Sequence, residues 1–253
     1  MGKIVTFANQ KGGVGKTTSA INVAAALGAM GKRTLLVDSD PQGNASSGVG
    51  VVKKEMTSSL YPVLLQLKEP AEAIRTTPFE NLSVLPSSIE LAAAEFELVD
   101  AERREGRLRE ALDAVRDAYD YIIVDCPPSL GILTINALTA ADGVVIPMQC
   151  EYYALEGLSQ LTVTIRQVRR AYNPALEITG ILVTMYNGRL NLSTMVLDEL
   201  KKYYADRLFS TVVTRVVKLS EAPSYGMPGI YYDKFGKGSE AYRKIARELT
   251  ERI

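Results

Sequence analysis

A glycine-rich segment at residues 9–18, NQKGGVGKTT, constrains the fold of this chain more than any other feature. It follows an apolar β-branched run at residues 3–8 and precedes a helix-like stretch at residues 16–30. Its glycines allow the backbone to turn tightly and to point N–H groups at phosphate oxygens, which a helix N-terminus also attracts. Lys16 can reach the β- and γ-phosphates of a nucleotide, and the Thr17 hydroxyl can ligate Mg²⁺. The segment therefore predicts a phosphate-binding loop, formed by Lys11, Gly12, Gly13, Val14, Gly15, Lys16, Thr17 and Thr18.

Apolar runs alternate with helical stretches along the rest of the chain. The predicted strands are residues 3–8, 34–37, 121–124, 143–148 and 178–184, and the predicted helices are residues 16–30, 88–99, 104–118, 133–141, 154–172, 191–204 and 239–253. Near-continuous apolar runs are typical of strands that are buried on both faces of a parallel sheet. The alternation predicts an α/β, doubly wound, mostly parallel sheet with helices on both faces, in a single domain of residues 1–253. Prolines interrupt residues 51–87, which give no clear pattern.

Composition excludes several classes of protein. Hydrophobic residues make up 47% of the 253 positions and the net charge is zero, which excludes disorder as the main state. The chain has no histidine, which excludes a Ser-His-Asp triad, histidine-ligated zinc and an imidazole base. No apolar run reaches the roughly 18 residues of a membrane span. We expect a cytoplasmic protein that is not bound to a membrane.

Charge is distributed unevenly along the chain. Residues 1–162 carry 14 basic and 20 acidic side chains, whereas residues 163–253 carry 15 basic and 9 acidic ones. A local excess of positive charge favours contact with a polyanion. The C-terminal part is therefore the candidate surface for such a partner.

Carboxylates follow two of the predicted strands. Asp125 ends the run YIIVD, and Asp38 and Asp40 follow the run at residues 34–37. An aspartate at a strand end beside a phosphate-binding loop can hold a water on Mg²⁺, and Asp125 fits this Walker B role best. Asp38 is a second candidate for the same role, although it could also serve as a turn former. Since the chain has no histidine, a carboxylate is expected to orient the water that attacks the nucleotide.

The phosphate-binding loop departs from the usual pattern at its start. The usual motif has glycine five residues before Gly15, where this chain has Gln10, and an additional lysine, Lys11, follows. The string KGGVGKTT resembles the deviant Walker A motif of the ParA/MinD group of ATPases. Longer strings resemble the chromosomal, Soj-type ParA proteins specifically, among them DCPPSLGILTINALTAAD at residues 125–142 and KLSEAPSYG at residues 218–226.

The resemblance implies a function and a set of roles. It implies an ATP- and Mg²⁺-dependent homodimer that binds double-stranded DNA without sequence preference, at the nucleoid, and is released when a ParB-type protein stimulates ATP hydrolysis. Lys11 would reach across the dimer to the partner's phosphates, and Asp40 would activate the water. Arg189 and Lys218 would lie on the DNA-facing surface. In the family an asparagine often faces the adenine where this chain has Val216, so the base contacts are expected to differ.

Two alternatives remain open from the sequence. The first is a MinD-like ATPase that binds membranes through the amphipathic stretch at residues 239–253, although such a stripe more often packs on a sheet. The second is an iron–sulfur carrier resembling nitrogenase iron protein, with Cys126 and Cys150 as ligands, although two small core thiols are the simpler interpretation.

Overall fold

The computed structural model describes residues 1–253. Seven strands form one sheet: β1 (Lys3–Phe7), β2 (Thr34–Asp38), β3 (Arg75–Thr76), β4 (Leu82–Leu85), β5 (Tyr121–Asp125), β6 (Gly143–Gln149) and β7 (Glu177–Thr184). Twelve α-helices surround it: α1 (Lys16–Ala29), α2 (Asn44–Gly48), α3 (Leu60–Leu64), α4 (Pro70–Ala73), α5 (Leu91–Glu97), α6 (Arg107–Asp113), α7 (Ile132–Ala140), α8 (Ala154–Ala171), α9 (Asn191–Tyr204), α10 (Val217–Glu221), α11 (Gly229–Tyr232) and α12 (Lys237–Arg252).

The order of the strands places the end of β1 at the centre of the molecule. The order across the sheet is β3-β4-β2-β5-β1-β6-β7, and only the β3–β4 pair is antiparallel. The chain passes from β1 to β2 on one side, whereas β6 and β7 lie on the other side. The carboxyl end of β1 is thus a topological switch point, the place where open α/β sheets bind ligands.

The strands are buried on both faces, as their apolar runs predict. Alternate residues of β1 point to opposite faces, with Ile4 in one core cluster and Val5 and Phe7 in the other. The larger cluster lies against α3 and α5–α9, and the smaller one lies against α1, α2 and α12. Register aligns Phe7 of β1 and Asp38 of β2 with Asp125 of β5, so the ends of these three strands meet at one edge.

The predicted fold class is confirmed, and several element boundaries differ. Strands β3 and β4 lie in residues 51–87, where no strand was predicted. Strand β4 is only four residues long, LSVL, and the prolines around it left no clear pattern. The helix predicted at residues 88–99 extends only over Leu91–Glu97. The helix predicted at residues 104–118 is wrong as a single element, because Arg104–Gly106 and Arg116–Ala118 are 3-10 turns that flank α6.

The apolar stripe of the last helix is buried inside the protein. Tyr242, Ile245 and Leu249 of α12 are at most 1% exposed and belong to the core cluster that contains α1. The apolar stripe of α12 is therefore buried against the core of the protein, which is the more common arrangement for an amphipathic helix. Every helix in the chain is too short or too polar to cross a bilayer.

Candidate active site

The loop of residues 9–18 emerges from β1 at the carboxyl edge of the sheet and leads directly into α1. Gly13 and Gly15 have φ angles of 72° and 84°, a left-handed conformation that side chains other than glycine rarely adopt. Both positions therefore require glycine for the turn, which agrees with the spacing in the sequence.

Side chains at the ends of neighbouring strands donate hydrogen bonds to carbonyl groups of the loop. Gln149 at the end of β6 donates to the carbonyl of Gly13 at 2.9 Å, and Thr184 at the end of β7 donates to the carbonyl of Val14 at 2.7 Å. Asn9 donates to the carbonyl of Pro147 at 2.8 Å and accepts from the N–H of Lys11 at 3.0 Å. These bonds orient the peptide groups of the loop before any ligand binds.

The backbone N–H groups of the loop have no partner within the chain. None of the seven N–H groups of residues 12–18 donates a hydrogen bond, whereas the next one, that of Ser19, donates to the carbonyl of Gly15 at 2.9 Å. A run of free N–H groups at the start of a helix is a binding site for an anion such as phosphate. The geometry fits the phosphate groups of a nucleotide.

Lys16 lies inside this anion site. It is 6% exposed, and its Nζ donates to the carbonyl of Lys11 at 3.0 Å, so that the ammonium folds back over the loop. Burial lowers the pKa of Lys16, and the charges of Asp125 and Asp40 oppose this shift. A phosphate would supply the opposite charge that the buried ammonium needs.

Asp125 and Asp38 are both fully buried, but their partners differ. Asp38 accepts hydrogen bonds from the N–H and the hydroxyl of Ser46, each at 2.7 Å, and from the N–H of Asp40 at 3.2 Å. Neither carboxylate oxygen of Asp125 has a hydrogen-bond partner. Burial raises the pKa of Asp38 to about 6, and burial together with the charge of Asp38 raises that of Asp125 well above its ordinary range. Unpaired buried carboxylate oxygens fit a cation or its bound water, so the geometry favours Asp125 over Asp38 for the magnesium role.

Thr17 and Asp40 lie on the same side of the loop as this carboxylate. The Thr17 hydroxyl lies close enough to oppose the rise in the pKa of Asp125, although no full hydrogen bond joins the two side chains. Asp40 is 7% exposed and uses Oδ1 to accept from the N–H of Gln42 at 2.9 Å. Since no group of three or more His, Cys, Asp or Glu residues could hold a metal here, a magnesium site would be completed by hydroxyl, phosphate and water oxygens.

Lys11 points away from the anion site. Its Nζ forms an ion pair with Glu151, just beyond β6, and the two side chains are 40% and 51% exposed. Exposed ion pairs contribute only about 0–1 kcal/mol, so this contact can open at little cost. Lys11 is therefore available for a second partner.

A cavity of about 230 Å³ adjoins the loop on the side of β7. Gly13, Gly15 and Thr18 line it from the loop, and Met185, Val213, Val216, Leu219 and Tyr242 supply most of its apolar wall. Its position next to the anion site and the apolar side chains on part of its wall suit a nucleotide base. Val216, where the resemblance implies a polar contact, would give a base in this cavity an apolar neighbour instead.

The two cations predicted to contact DNA have different surroundings. Arg189 is exposed in the loop after β7 and forms no ion pair. Lys218 on α10 is paired with Glu221 at 3.2 Å and lies over the ring of Tyr232 at 5.3 Å. The hydrogen bond to Glu221 raises the pKa of Lys218, which keeps the ammonium charged.

Comparison with known proteins identifies the family. A model of the AAA domain family matches residues 2–178. The sporulation initiation inhibitor protein Soj of Bacillus subtilis is 55% identical over 250 residues, which are 99% of each chain. The chromosome partitioning protein ParA of Myxococcus xanthus is 52% identical over 252 residues, which cover all of this chain and 89% of that one. The chain belongs to the ParA family of ATPases.

A solved structure shows the same fold as this ParA-family chain. The cobyrinic acid a,c-diamide synthase from Mycobacterium smegmatis, with bound ATP analogue and magnesium, superposes with a TM-score of 0.87. It is 37% identical and covers 99% of this chain and 95% of its own. The resemblance inferred from KGGVGKTT and from the longer strings is thus confirmed at the level of family and fold.

Sequence reasoning missed residues that support the site of this ParA-family ATPase. Gln149 and Thr184 hold the loop, and Ser46 satisfies Asp38. Gln149 and Thr184 are polar side chains at the ends of apolar strands, which is the only signal the sequence offered. Cys126 and Cys150 are both free and buried, as expected for core thiols.

Proposed function

We propose that residues 1–253 form one ATPase domain that binds ATP and Mg²⁺, dimerises around the nucleotide and coats duplex DNA in the cytoplasm, at the nucleoid. A ParB-type partner would release it by stimulating hydrolysis, in the segregation of a chromosome or plasmid. The observation that carries the proposal is the set of seven free N–H groups at residues 12–18 beside the unpartnered carboxylate of Asp125. The relative from Myxococcus xanthus, named chromosome partitioning protein ParA, supports the role in segregation.

The residues around the loop have distinct roles in the proposed hydrolysis. The N–H groups of residues 12–18 and the ammonium of Lys16 bind the phosphate oxygens and stabilise the charge that develops on them. Thr17 and, through water, Asp125 would hold Mg²⁺, which neutralises charge on the β- and γ-phosphates when it is bound. Asp40 orients the attacking water by accepting its hydrogen bond. No step requires an imidazole, in agreement with the absence of histidine.

Lys11 and Asp40 permit a sharp test of dimerisation and hydrolysis. Asp40→Ala is expected to bind ATP and accumulate as a dimer without turnover, because only the orientation of water is lost. Lys11→Ala is expected to bind ATP as a monomer. Glu151→Ala is the matched control, because it breaks the same ion pair but keeps the lysine. Light scattering gives the mass, and phosphate release gives the rate.

Two results would contradict these roles. Dimer formation by Lys11→Ala with ATP would show that Lys11 does not act across the interface. Loss of the dimer in both Lys11→Ala and Glu151→Ala would assign the effect to their contact within one chain. Normal turnover by Asp40→Ala would move the water-orienting role to another group, with Asp38 as the next candidate.

DNA binding is tested separately by fluorescence anisotropy on two duplexes of unrelated sequence. Binding is expected with ATP only, equal on both duplexes, and weaker as salt rises, because each phosphate contact contributes a slope of about −0.9 in log affinity against log salt. Arg189→Glu and Lys218→Glu should lose DNA while they still dimerise. Arg170→Glu, at an exposed arginine in the last turn of α8, is the control. Binding that is equal with ATP, with ADP and without nucleotide would contradict the proposal, and ATP-dependent pelleting with vesicles would favour the MinD-like alternative.

A further inference from the structure

A second cavity lies beside the base cavity, at the carboxyl ends of β6 and β7. Its volume is about 440 Å³ and it is open to solvent. Residues of the loops after β6 and β7 line most of it, among them Glu151, Asn187 and Arg189. Ser193 of α9 and Arg215, from the segment before α10, complete the lining. The nucleotide roles assigned above use none of these five residues.

Two guanidinium groups of this cavity are without a partner. Arg189 and Arg215 are both exposed, form no ion pair, and donate no side-chain hydrogen bond. The one carboxylate of the cavity, that of Glu151, is already paired with Lys11. Since Lys11 neutralises Glu151, the charges of the two arginines remain unbalanced, and the cavity carries a net charge of two positive units. Each guanidinium has five N–H donors, so ten donors are free in total.

We propose that Arg189 and Arg215 form a phosphate clamp, and that Arg215 is a DNA-contacting residue in addition to Arg189. Arginine forks bind the oxygens of a phosphate in pairs, which gives both charge and geometry. The cavity is open to solvent, as a site for the phosphates of a long polymer must be. This proposal rests on the proposed function, since it names a further contact to the same polyanion.

Arg215 is better placed for this contact than Lys218, three residues later. A phosphate that binds Lys218 shares the ammonium with Glu221, whereas Arg215 has no carboxylate partner, so a phosphate there has no competing carboxylate. Arg215 also lines the base cavity, so its side chain stands on the wall between the two cavities. A test must therefore separate an effect on nucleotide from an effect on phosphate in the second cavity.

The test uses Arg215→Gln and Arg215→Lys, with Arg170→Gln as the control, all saturated with a non-hydrolysable ATP analogue. Dimer mass is checked first by light scattering. Affinity for a duplex is then measured over a series of salt concentrations. For Arg215→Gln we expect a loss of about tenfold at moderate salt and a slope that is shallower by about 1.8, because a two-fold dimer loses two contacts at about 0.9 each. Arg215→Lys should keep the slope and recover part of the affinity, since it keeps the charge but not the fork.

Several outcomes would overturn the clamp. An unchanged salt slope in Arg215→Gln, or full recovery of DNA affinity at higher nucleotide concentration, would assign Arg215 to the nucleotide alone. If the wild type binds an acidic peptide more tightly than the duplex, and Arg215→Gln loses that binding, the ligand of the two arginines is an acidic protein and not DNA.

A second probe separates this proposal from the proposed function. Calorimetry with inorganic polyphosphate, with the loop already filled by the analogue, reports on the clamp without DNA. If the wild type retains no duplex but binds polyphosphate through Arg215, the DNA function fails and the clamp stands. If wild type and Arg215→Gln bind both probes equally, the clamp fails.

Discussion

Replacing Asp125 by asparagine is expected to stabilise the nucleotide-free protein while it removes the magnesium role. The carboxylate is fully buried, neither oxygen has a hydrogen-bond partner, and the charge of Asp38 lies nearby. An unpaired buried polar group costs about 1–3 kcal/mol, and more when it is charged. Asparagine has the same shape without the charge. A gain of about 2 kcal/mol corresponds to a rise in Tm of roughly 4–8 °C for a chain of this size.

The gain should depend on pH. Burial raises the pKa of Asp125 in the folded state, so the folded chain holds this proton more tightly than the unfolded chain does. The ionised carboxylate therefore costs stability as pH rises above its unfolded value of about 3.9, and the full cost is reached above the folded pKa. The difference in Tm between Asp125→Asn and wild type should consequently be larger at pH 8 than at pH 5. Thermal unfolding followed by circular dichroism, with EDTA and without nucleotide, measures it.

Asp38→Asn is the matched control for this prediction. Asp38 is equally buried, but its oxygens accept three hydrogen bonds, and an amide nitrogen in their place would face a donor. Its gain in Tm should be smaller or absent. The reasoning is refuted if Asp125→Asn does not raise Tm, or if Asp38→Asn raises it equally.

Two further predictions concern the helix that follows the loop. Lys16→Ala should abolish measurable ATP binding in calorimetry, because it deletes the buried charge that faces the phosphates, and near-normal affinity would contradict the placement of Lys16. Gly28→Ala would place a Cβ 2.3 Å from the carbonyl oxygen of Glu80 and should destabilise the protein by about 1–3 kcal/mol in urea. An unchanged midpoint of urea unfolding in Gly28→Ala would show that α1 can shift away from Glu80 without cost.

The sequence was sufficient to locate the loop and the strand-end carboxylates. The spacing of Gly13 and Gly15 is a local pattern, and its cause, a left-handed turn before a helix, is equally local. The carboxylates of Asp38 and Asp125 meet because parallel strands end at one edge of the sheet. Both inferences needed only neighbouring residues and the fold class.

Contacts between distant residues could not be predicted in this way. Gln149 and Thr184 lie 136 and 170 residues from the carbonyls that they bind. Asp38 and Asp125 each follow an apolar strand, and the sequence favoured Asp125 for the magnesium role without showing which carboxylate has hydrogen-bond partners. The position of Ser46, which binds Asp38 and leaves Asp125 unpaired, became visible only in the fold. The cavity shared by Arg189 and Arg215 depends on the packing of two separate loops.

The contact between α1 and α12 has a consequence for synthesis of the chain. The hydroxyl groups of Ser19 and Tyr242 lie 3.1 Å apart in the core although 223 residues separate them. A ribosome makes α1 long before it makes α12, so the helix behind the phosphate-binding loop lacks this packing partner until α12 has emerged. Nascent chains should therefore expose the side of α1 that α12 covers, and the nucleotide site should become firmly packed only after α12 has folded onto it.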